Sequence, residues 1–541
     1  MAQVGWVAGA GWIKLGRFRH AASSAPALAR TDVWVLLGLV LVVIAYRLLT
    51  TPVIETGGDA ALKWYYAKTW LAELAGGHIR NHHAARFSIN TLTAAFQSVF
   101  GTHLIVYYLP AFSMSVAQVV FVYLLCRRAS GVWPAVLACL LVILHPLLVR
   151  NGAQLLPGVF CGTYVIAALY MLSRNFDPQQ GRIETNIVIA AVLIFCAYLS
   201  KEPNLFFVPA CLLAVWAARR SHKDLGLFMV VLGTLGLLEY LYYVSMVEGA
   251  WLGRLSTISG HLRAMSDVEN LSRDYLGLTW LNLPLRRYAP GRAGGIVPAM
   301  AFYTACLSSL YLLLRERRLN APRAMVAYAF LSYVLIDAYA VTGVDPLTPV
   351  QKFHARYMAV LVPLIGVVIV FALSDVGATV ARLLKPAAER RRSILQLGVT
   401  TSLVMVFLYS FHDANRSRYV TEPAEHPFAV LLDYQAVVDD ARAHCVPFVV
   451  QPGKPRRITD RMFSDRFHRL KWHELERSDF EALGFPEECA SRYPDPRAYV
   501  ASEGRDGDVA AVLVAVRQPD GRPGLFVERQ RLPVDRLLPD G

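Results

Sequence analysis

Apolar residues along this chain come in repeated long runs that are separated by short polar segments. A run of about 20 apolar residues has the length that an α-helix needs to cross a bilayer. Eleven such runs can be placed, at Val33–Leu49, Leu104–Cys126, Val132–Leu148, Leu155–Leu172, Ile187–Leu199, Leu205–Ala218, Leu225–Val244, Ile296–Leu314, Met325–Val341, Tyr357–Leu373 and Ile394–Phe411. The pattern predicts an α-helical polytopic membrane protein with about 11 transmembrane helices.

Longer segments lie between and beyond these runs. Two outer loops are long, at residues 50–103 and 245–295. Beyond the last run, a helical pattern at 429–443 alternates with short apolar runs at 446–451, 510–517 and 524–528, which is typical of a small α/β or α+β domain. We therefore expect an N-terminal segment (1–32), a transmembrane domain (33–411) and a small C-terminal domain (412–541).

The basic residues indicate the orientation of the chain. With a cytoplasmic N-terminus, the inner segments hold twenty Lys and Arg residues, whereas the short outer segments hold Arg150, Lys201, Lys352 and Arg356. Positive charge collects on the cytoplasmic side of membrane proteins. We expect a protein of the bacterial inner membrane with a periplasmic C-terminal domain. The same asymmetry explains the net charge of +14 without a nucleic-acid partner.

Composition and cysteine positions narrow the class further. The chain is 55% apolar and only 17% charged, against about 25% charged in soluble proteins, which excludes a soluble enzyme, a disordered chain and a disulfide-rich scaffold. Six of the eight cysteines lie in or beside the apolar runs and are expected to be reduced. Cys445 and Cys489 lie in the outer tail, where we predict a disulfide; two thiols too far apart to join are the alternative.

Polar residues gather in the first outer loop. Two glycines allow a bend before Asp59, and Lys63 follows one helical turn later. His82, His83 and Arg86 come further along the same loop. Such a cluster at the membrane surface suits a charged, partly lipidic ligand, with Asp59 as a base. Solvated loop residues are the alternative for the cluster, and a helix N-cap is the alternative for Asp59.

Cations also lie at the outer ends of two later spans. Lys201 and Glu202 precede a proline that begins the next helix, and His354, Arg356 and Tyr357 open the tenth span. Lys and Arg residues are unusual at the outer face because positive charge tends to collect on the inner side. The position of Lys201 and Arg356 therefore favours binding of a phosphate group by these two cations. Anchoring of long side chains at the membrane surface is the alternative.

Three ionisable side chains fall within the spans: His145, Glu239 and Asp337. Such groups are costly inside a membrane and are often functional. A hydrogen-bonded structural role is the alternative for each of them.

The order of these features along the chain resembles that of the type-C glycosyltransferase superfamily. The similarity is to the branch that contains protein O-mannosyltransferases and bacterial aminoarabinose transferases. The resemblance covers about residues 30–375 and rests on an acidic residue like Asp59, a Ser-Lys-Glu-Pro junction at 200–203 and an Arg-Tyr pair like Arg356-Tyr357. Many bacterial relatives carry His-x-Pro-Pro in the first outer loop, where this chain reads His82-His83-Ala-Ala-Arg86. Because of this departure, the sequence does not indicate whether a divalent metal binds at residues 82–86. No other cofactor is expected.

The resemblance implies transfer of a sugar from a polyprenyl-phosphate donor to a lipid, glycan or protein acceptor at the periplasmic face, with inversion. Lys201 and Arg356 would hold the phosphate, with His354 and Lys63 nearby, and Asp59 would accept the proton of the acceptor hydroxyl.

A transporter or flippase and a polysaccharide polymerase or ligase are the alternatives. A transporter more often has two related halves, and the sequence has no internal repeat. The acidic residue directly after the first span favours the transferase over the polymerase.

Overall fold

The computed structural model describes residues 30–50, 59–79, 82–102, 104–177, 182–256, 295–316, 321–339, 341–344, 347–349, 355–384, 389–419, 448–450, 510–517 and 523–530. Its α-helices are α1 (Arg30–Thr50), α2 (Asp59–Lys68), α3 (Trp70–Ala75), α4 (Phe87–Phe100), α5 (Leu109–Ser130), α6 (Val132–Leu144), α7 (Pro146–Asn151), α8 (Pro157–Arg174), α9 (Ile183–Ser200), α10 (Val208–Arg219), α11 (His222–Met246), α12 (Ile296–Arg315), α13 (Pro322–Tyr339), α14 (Ala355–Met358), α15 (Val362–Leu383) and α16 (Glu389–Tyr419). Short 3₁₀ helices at Leu104–Tyr108, Glu202–Phe207 and Ala359–Leu361 lead into α5, α10 and α15.

The apolar runs of the sequence coincide with these helices. Seven helical stretches in the described part of the chain are long and apolar enough to cross a membrane; they include α1, α5, α9, α11, α12, α15 and α16. The other predicted spans fall on α6 with α7, α8, α10 and α13. The α-helical polytopic membrane fold is confirmed, and the number of eleven spans stays a prediction.

Helix α15 forms the centre of the bundle. Its residues are apolar on all sides and are buried along almost its whole length, as expected for a helix surrounded by other helices. It packs against α6, α12, α13 and α16. By contrast, α1 and α11 expose many of their large apolar side chains, which therefore face lipid in a membrane.

One end of the bundle is held by arginine–aspartate pairs. They join the beginning of α1 to the end of α5, the end of α5 to the end of α8, and α13 to α15. The pairs are Arg127–Asp32 (2.7 Å), Arg128–Asp177 (3.4 Å) and Arg323–Asp375 (2.9 Å). These arginines belong to segments that the charge distribution places in the cytoplasm.

The third predicted span is broken at His145–Pro146. Proline has no N–H and cannot continue the hydrogen bonding of α6, so carbonyl groups at the end of α6 need other donors. Arg47 Nη1 donates to the Ile143 carbonyl at 3.1 Å, and Asn415 Nδ2 donates to the Leu144 carbonyl at 2.7 Å. His145 Nδ1 accepts from the backbone N–H of Leu147 at 3.3 Å. The break is thus stabilised from α1 and α16, and His145 has a structural role as a helix cap.

The first outer loop is largely helical. Helices α2, α3 and α4 pack against one another, and Trp64, Trp70 and Ile79 are buried there. Helix α4 also lies against α9. Gly77 has φ +66° and lies so close to the end of α11 that a Cβ there would be 1.8 Å from the Met246 carbonyl oxygen. This contact, possible only for glycine, fixes the loop against α11.

Strands are present beyond α13 and in the C-terminal tail. β1 (Val341–Val344) and β2 (Leu347–Pro349) form an antiparallel hairpin that the sequence did not indicate. β3 (Phe448–Val450) lies parallel to β4 (Ala510–Arg517), which is antiparallel to β5 (Pro523–Gln530), and all three coincide with apolar runs of the tail. The helical pattern at 429–443, Cys445 and Cys489 lie outside the described residues, so the C-terminal domain and its disulfide stay predictions.

Candidate active site

A cavity of about 140 Å³ lies at the beginning of α8, and the other end of α8 reaches the Arg128–Asp177 pair. The cavity is therefore at the end of the bundle opposite the arginine–aspartate pairs. It is lined by Lys63, His82, His83, Arg86, Leu156, Pro157, Gly158, Cys161, Lys201, Asn204, Tyr333, Tyr357 and Val360. Six of these residues were predicted as site residues from the sequence: Lys63, His82, His83, Arg86, Lys201 and Tyr357.

Each cation reaches the cavity from a different element. Lys63 lies on α2 and is only 2% exposed, and Arg86 directly precedes α4. Lys201 is an extended residue between α9 and the following 3₁₀ helix. Its ammonium nitrogen lies 3.2 Å from the centroid of the Tyr357 ring. The rings of His82 and His83 lie beside each other, with centroids 3.7 Å apart.

The N-terminus of α8 also faces this cavity. Leu156 is the N-cap and makes no side-chain capping hydrogen bond, and Pro157 and Gly158 are the first helical residues. The positive end of a helix dipole favours negative charge. Together with the side-chain cations, this helix end makes the cavity suitable for an anion such as phosphate.

Glu202 lies behind Arg86 and binds two arginines. Its Oε2 accepts from Arg86 Nη1 at 2.7 Å, and its Oε1 accepts from Arg254 Nε at 2.9 Å. Arg254 Nη1 also donates to Glu239 Oε1 at 2.9 Å. Glu202 does not line the cavity, so the structure gives this predicted substrate-binding residue a place in an ion-pair network.

This network sets the charge state of Glu202. Burial alone raises the pKa of its carboxyl group, but the charges of Arg86 and Arg254 outweigh that effect and hold the pKa well below the usual range. Both arginines contact the carboxylate directly, and 20% of its side chain is exposed. Glu202 is therefore ionised at neutral pH.

Asn204 fixes the backbone beside Lys201. Its Nδ2 donates to the carbonyl groups of Ala197 and Lys201, at 3.0 and 2.8 Å. It also approaches Cys161 Sγ at 2.8 Å. Asn204, Cys161 and Arg254 were not predicted from the sequence. The one signal for Arg254 was Glu239, a carboxylate within a span, which requires a partner of opposite charge.

Three predicted site residues are placed only in part. Asp59 begins α2, four residues before Lys63 and hence on the same helix face, but its side chain is not described. Arg356 precedes Tyr357 in α14, and its side chain is likewise not described. His354 lies outside the described residues. The structure therefore brings together the Lys63 and Lys201 regions without testing these three roles.

Metal binding is not decided by these residues. Within the described ranges, no group of three or more His, Cys, Asp and Glu side chains could hold a metal ion. The side chain of Asp59 and residues 351–354 lie outside the described part of the chain. A divalent metal therefore stays open.

Sequence comparison identifies a related family. Residues 87–243 match the family described as dolichyl-phosphate-mannose-protein mannosyltransferase. This segment runs from α4 into α11 and contains Lys201, Glu202 and Glu239. A comparison with curated proteins found no match.

The fold is similar to that of ArnT from Cupriavidus metallidurans bound to undecaprenyl phosphate, with 12% sequence identity and a TM-score of 0.50 over 92% of this chain and 98% of that chain. The resemblance to type-C membrane glycosyltransferases is confirmed. The family match supports a glycosyltransferase, and the apolar helices support an integral membrane protein.

Two other type-C structures match with lower TM-scores. The oligosaccharyltransferase of Archaeoglobus fulgidus has 15% identity and a TM-score of 0.43, over 78% of this chain and 60% of that chain. The arabinosyltransferase EmbB of Mycobacterium smegmatis has 13% identity and a TM-score of 0.45, over 74% of this chain and 42% of that chain. This chain thus spans less than two thirds of the length of either enzyme.

Proposed function

We propose that this protein transfers a sugar from a polyprenyl-phosphate donor to a lipid, glycan or protein acceptor at the periplasmic face of the inner membrane. The observation that carries the proposal is the convergence of Lys63, Arg86 and Lys201 at one cavity with the N-terminus of α8. Four positive groups at one end of a bundle of apolar helices suit a ligand with a phosphate head and a lipid tail.

The position of the cavity supports a lipid-linked donor. A polyprenyl chain must stay in the bilayer while its sugar phosphate lies at the membrane surface, and Arg86 and Lys201 are at helix ends. The similar fold of ArnT holds undecaprenyl phosphate, which supports a lipid phosphate as the ligand here.

The reaction follows from the charges that must be stabilised. The acceptor hydroxyl oxygen forms a bond to the anomeric carbon as the bond from that carbon to the phosphate oxygen breaks. The proton of the hydroxyl goes to Asp59, and the phosphate leaves with one additional negative charge, which the lysines and Arg86 stabilise. A single displacement inverts the anomeric configuration. Each step of this reaction is written with side chains of the protein alone, without a divalent metal.

The distribution of positive charge supports an active site at the periplasmic face. The cavity lies opposite the arginine-rich end of the bundle, and that end belongs on the cytoplasmic side. The active site is then periplasmic, and the topology predicted from the sequence places His354 and Arg356 on the same side as candidate phosphate ligands.

The test combines binding and turnover in lipid nanodiscs. Wild-type protein is expected to bind undecaprenyl phosphate much more tightly than undecaprenol, and to release undecaprenyl phosphate from a matching sugar donor when acceptor is present. Asp59→Asn is expected to keep the binding but to lower turnover at least ~100-fold, because asparagine caps a helix nearly as well but cannot take a proton.

Glu73→Gln is the matched control, since Glu73 is a carboxylate of the same outer loop that does not line the cavity. It should behave as wild type. Near-normal turnover in well-folded Asp59→Asn protein would remove Asp59 as the base. Equal binding of undecaprenol and undecaprenyl phosphate by the wild type would contradict the proposed donor.

A further inference from the structure

Arg254 is a buried cation that the proposed reaction does not use. It lies just beyond α11, and its side chain is only 3% exposed. Besides its contacts with Glu202 and Glu239, its Nη2 donates to the Leu199 carbonyl at 3.2 Å. The guanidinium also lies over the Tyr198 ring, 5.0 Å from its centroid. Arg254 does not line the cavity and is held entirely by the protein around it.

The two oxygens of Glu202 are occupied by different arginines. Oε1 accepts from Arg254, and Oε2 accepts from Arg86 through a single nitrogen, Nη1. This is the one side-chain ion pair of Arg86 within the described part of the chain. Arg86 lines the cavity, so its other N–H groups are available to a ligand there. An arginine beside a carboxylate with both oxygens accessible commonly binds it through two parallel hydrogen bonds.

We propose that Arg254 is a positioning residue that occupies Oε1 of Glu202 and so prevents Glu202 from binding Arg86 through two hydrogen bonds. Arg86 then keeps a second N–H group for the phosphate of the lipid ligand. This inference rests on the proposed function, because it assumes that a lipid phosphate enters the cavity.

Glu239 keeps this arrangement electrically neutral. Its side chain is 6% exposed and contacts Arg254, so the network holds two arginines and two glutamates. The network therefore adds no net charge at the cavity, and it determines where the donors of Arg86 are directed. Removal of Arg254 together with the charge of Glu239 leaves the net charge unchanged and exposes Oε1 of Glu202 to Arg86.

The experiment measures the Kd for undecaprenyl phosphate in nanodiscs, without turnover. Arg254→Met/Glu239→Gln is expected to raise the Kd about 10-fold or more, which corresponds to the loss of one charge-assisted hydrogen bond. Addition of Glu202→Gln is expected to lower the Kd again by several-fold, because the competing carboxylate is gone and Arg86 is released. Glu202→Gln in the wild type measures the effect of removing one negative charge alone, and a purely structural role of Arg254 predicts no recovery in the triple variant beyond that effect.

The matched control is Arg128→Met/Asp177→Asn, which deletes a neutral ion pair at the other end of the bundle and should leave the Kd unchanged. If the double variant at Arg254 does not fold, Arg254→Lys replaces it. Lysine is a point charge that cannot hold both glutamates in the same way, so the Kd should rise and Glu202→Gln should again restore binding.

Two results would overturn the inference: an unchanged Kd in Arg254→Met/Glu239→Gln, or no recovery when Glu202→Gln is added. Both leave the proposed function intact, because the wild type still binds. Failure of the wild type to prefer undecaprenyl phosphate over undecaprenol overturns the proposed function as well as this inference.

Discussion

The ammonium nitrogen of Lys201 lies 3.2 Å from the centroid of the Tyr357 ring. Lys201 follows α9 and Tyr357 belongs to α14, so the contact joins two spans at the cavity. Both residues line that cavity, and the ring therefore holds the cation in the place where we propose that a phosphate binds.

Loss of this ring should weaken donor binding. Tyr357→Leu is expected to raise the KM for the lipid-phosphate donor about 3- to 10-fold, since a cation–π contact contributes about 0.5–2 kcal/mol. Tyr357→Phe keeps the ring and should stay close to wild type. Steady-state kinetics on both variants provides the measurement, and equal losses in the two would show that the hydroxyl group, not the ring, is what matters.

Gly162 of α8 should not tolerate a side chain. A Cβ at this position would lie 2.6 Å from Gln118 Nε2 and 3.2 Å from the Val360 carbonyl oxygen. We expect Gly162→Ala to lower the free energy of unfolding by about 1 kcal/mol, because the end of the Gln118 side chain can move away whereas the Val360 backbone carbonyl is fixed. Thermal unfolding of the purified protein checks this value. The control is Gly233→Ala on α11, where no atom lies within 4 Å of the added Cβ and stability should be unchanged or slightly higher.

The ion pairs of Glu202 predict a specific pH dependence. Its pKa is depressed in the folded protein from an ordinary value of 4.5, so the carboxylate stabilises the fold above that value and loses this effect as the pH falls below it. The difference in unfolding temperature between wild type and Glu202→Gln should stay constant from about pH 8 to 5.5 and shrink below about pH 4.5. A difference that already shrinks between pH 8 and 6 would contradict this assignment.

Orientation in the membrane can be tested by labelling. His78 and Lys223 are both exposed, near opposite ends of α11. His78→Cys should react with an impermeant maleimide added outside spheroplasts, whereas Lys223→Cys should react only after permeabilisation. Because the six described cysteines are buried or half-buried, only Cys445→Ser and Cys489→Ser are needed in the background. Reaction of both sites from one side would refute the predicted topology.

The fold was predictable because its main signal is local. Each span is a continuous apolar run, and a helix inside a membrane satisfies its own backbone hydrogen bonds, so no distant partner has to be identified. The position of Lys201 followed in the same way, from a span end and the proline at 203. Even the three strands of the tail coincide with local apolar runs.

The missed features all depend on contacts between distant segments. The two arginine partners of Glu202, Arg86 and Arg254, lie 116 and 52 positions away, so the sequence did not indicate this ion-pair network. The break at His145 was read as part of one span, since its stabilising donors come from α1 and α16. A single sequence does not indicate which of many polar residues meet across a bundle.

The broken third span has a consequence for the biogenesis of the protein. The Leu144 carbonyl is satisfied by Asn415, which is synthesised 271 positions later. Asn415 also donates to Tyr46 Oη at 2.9 Å, so α16 completes contacts with both α1 and α6. Until α16 leaves the insertion machinery, the nascent bundle contains an open backbone acceptor that lipid cannot satisfy. Chains that stop after α15 should therefore be recognised as incomplete and degraded, even though every residue of the cavity has already been made.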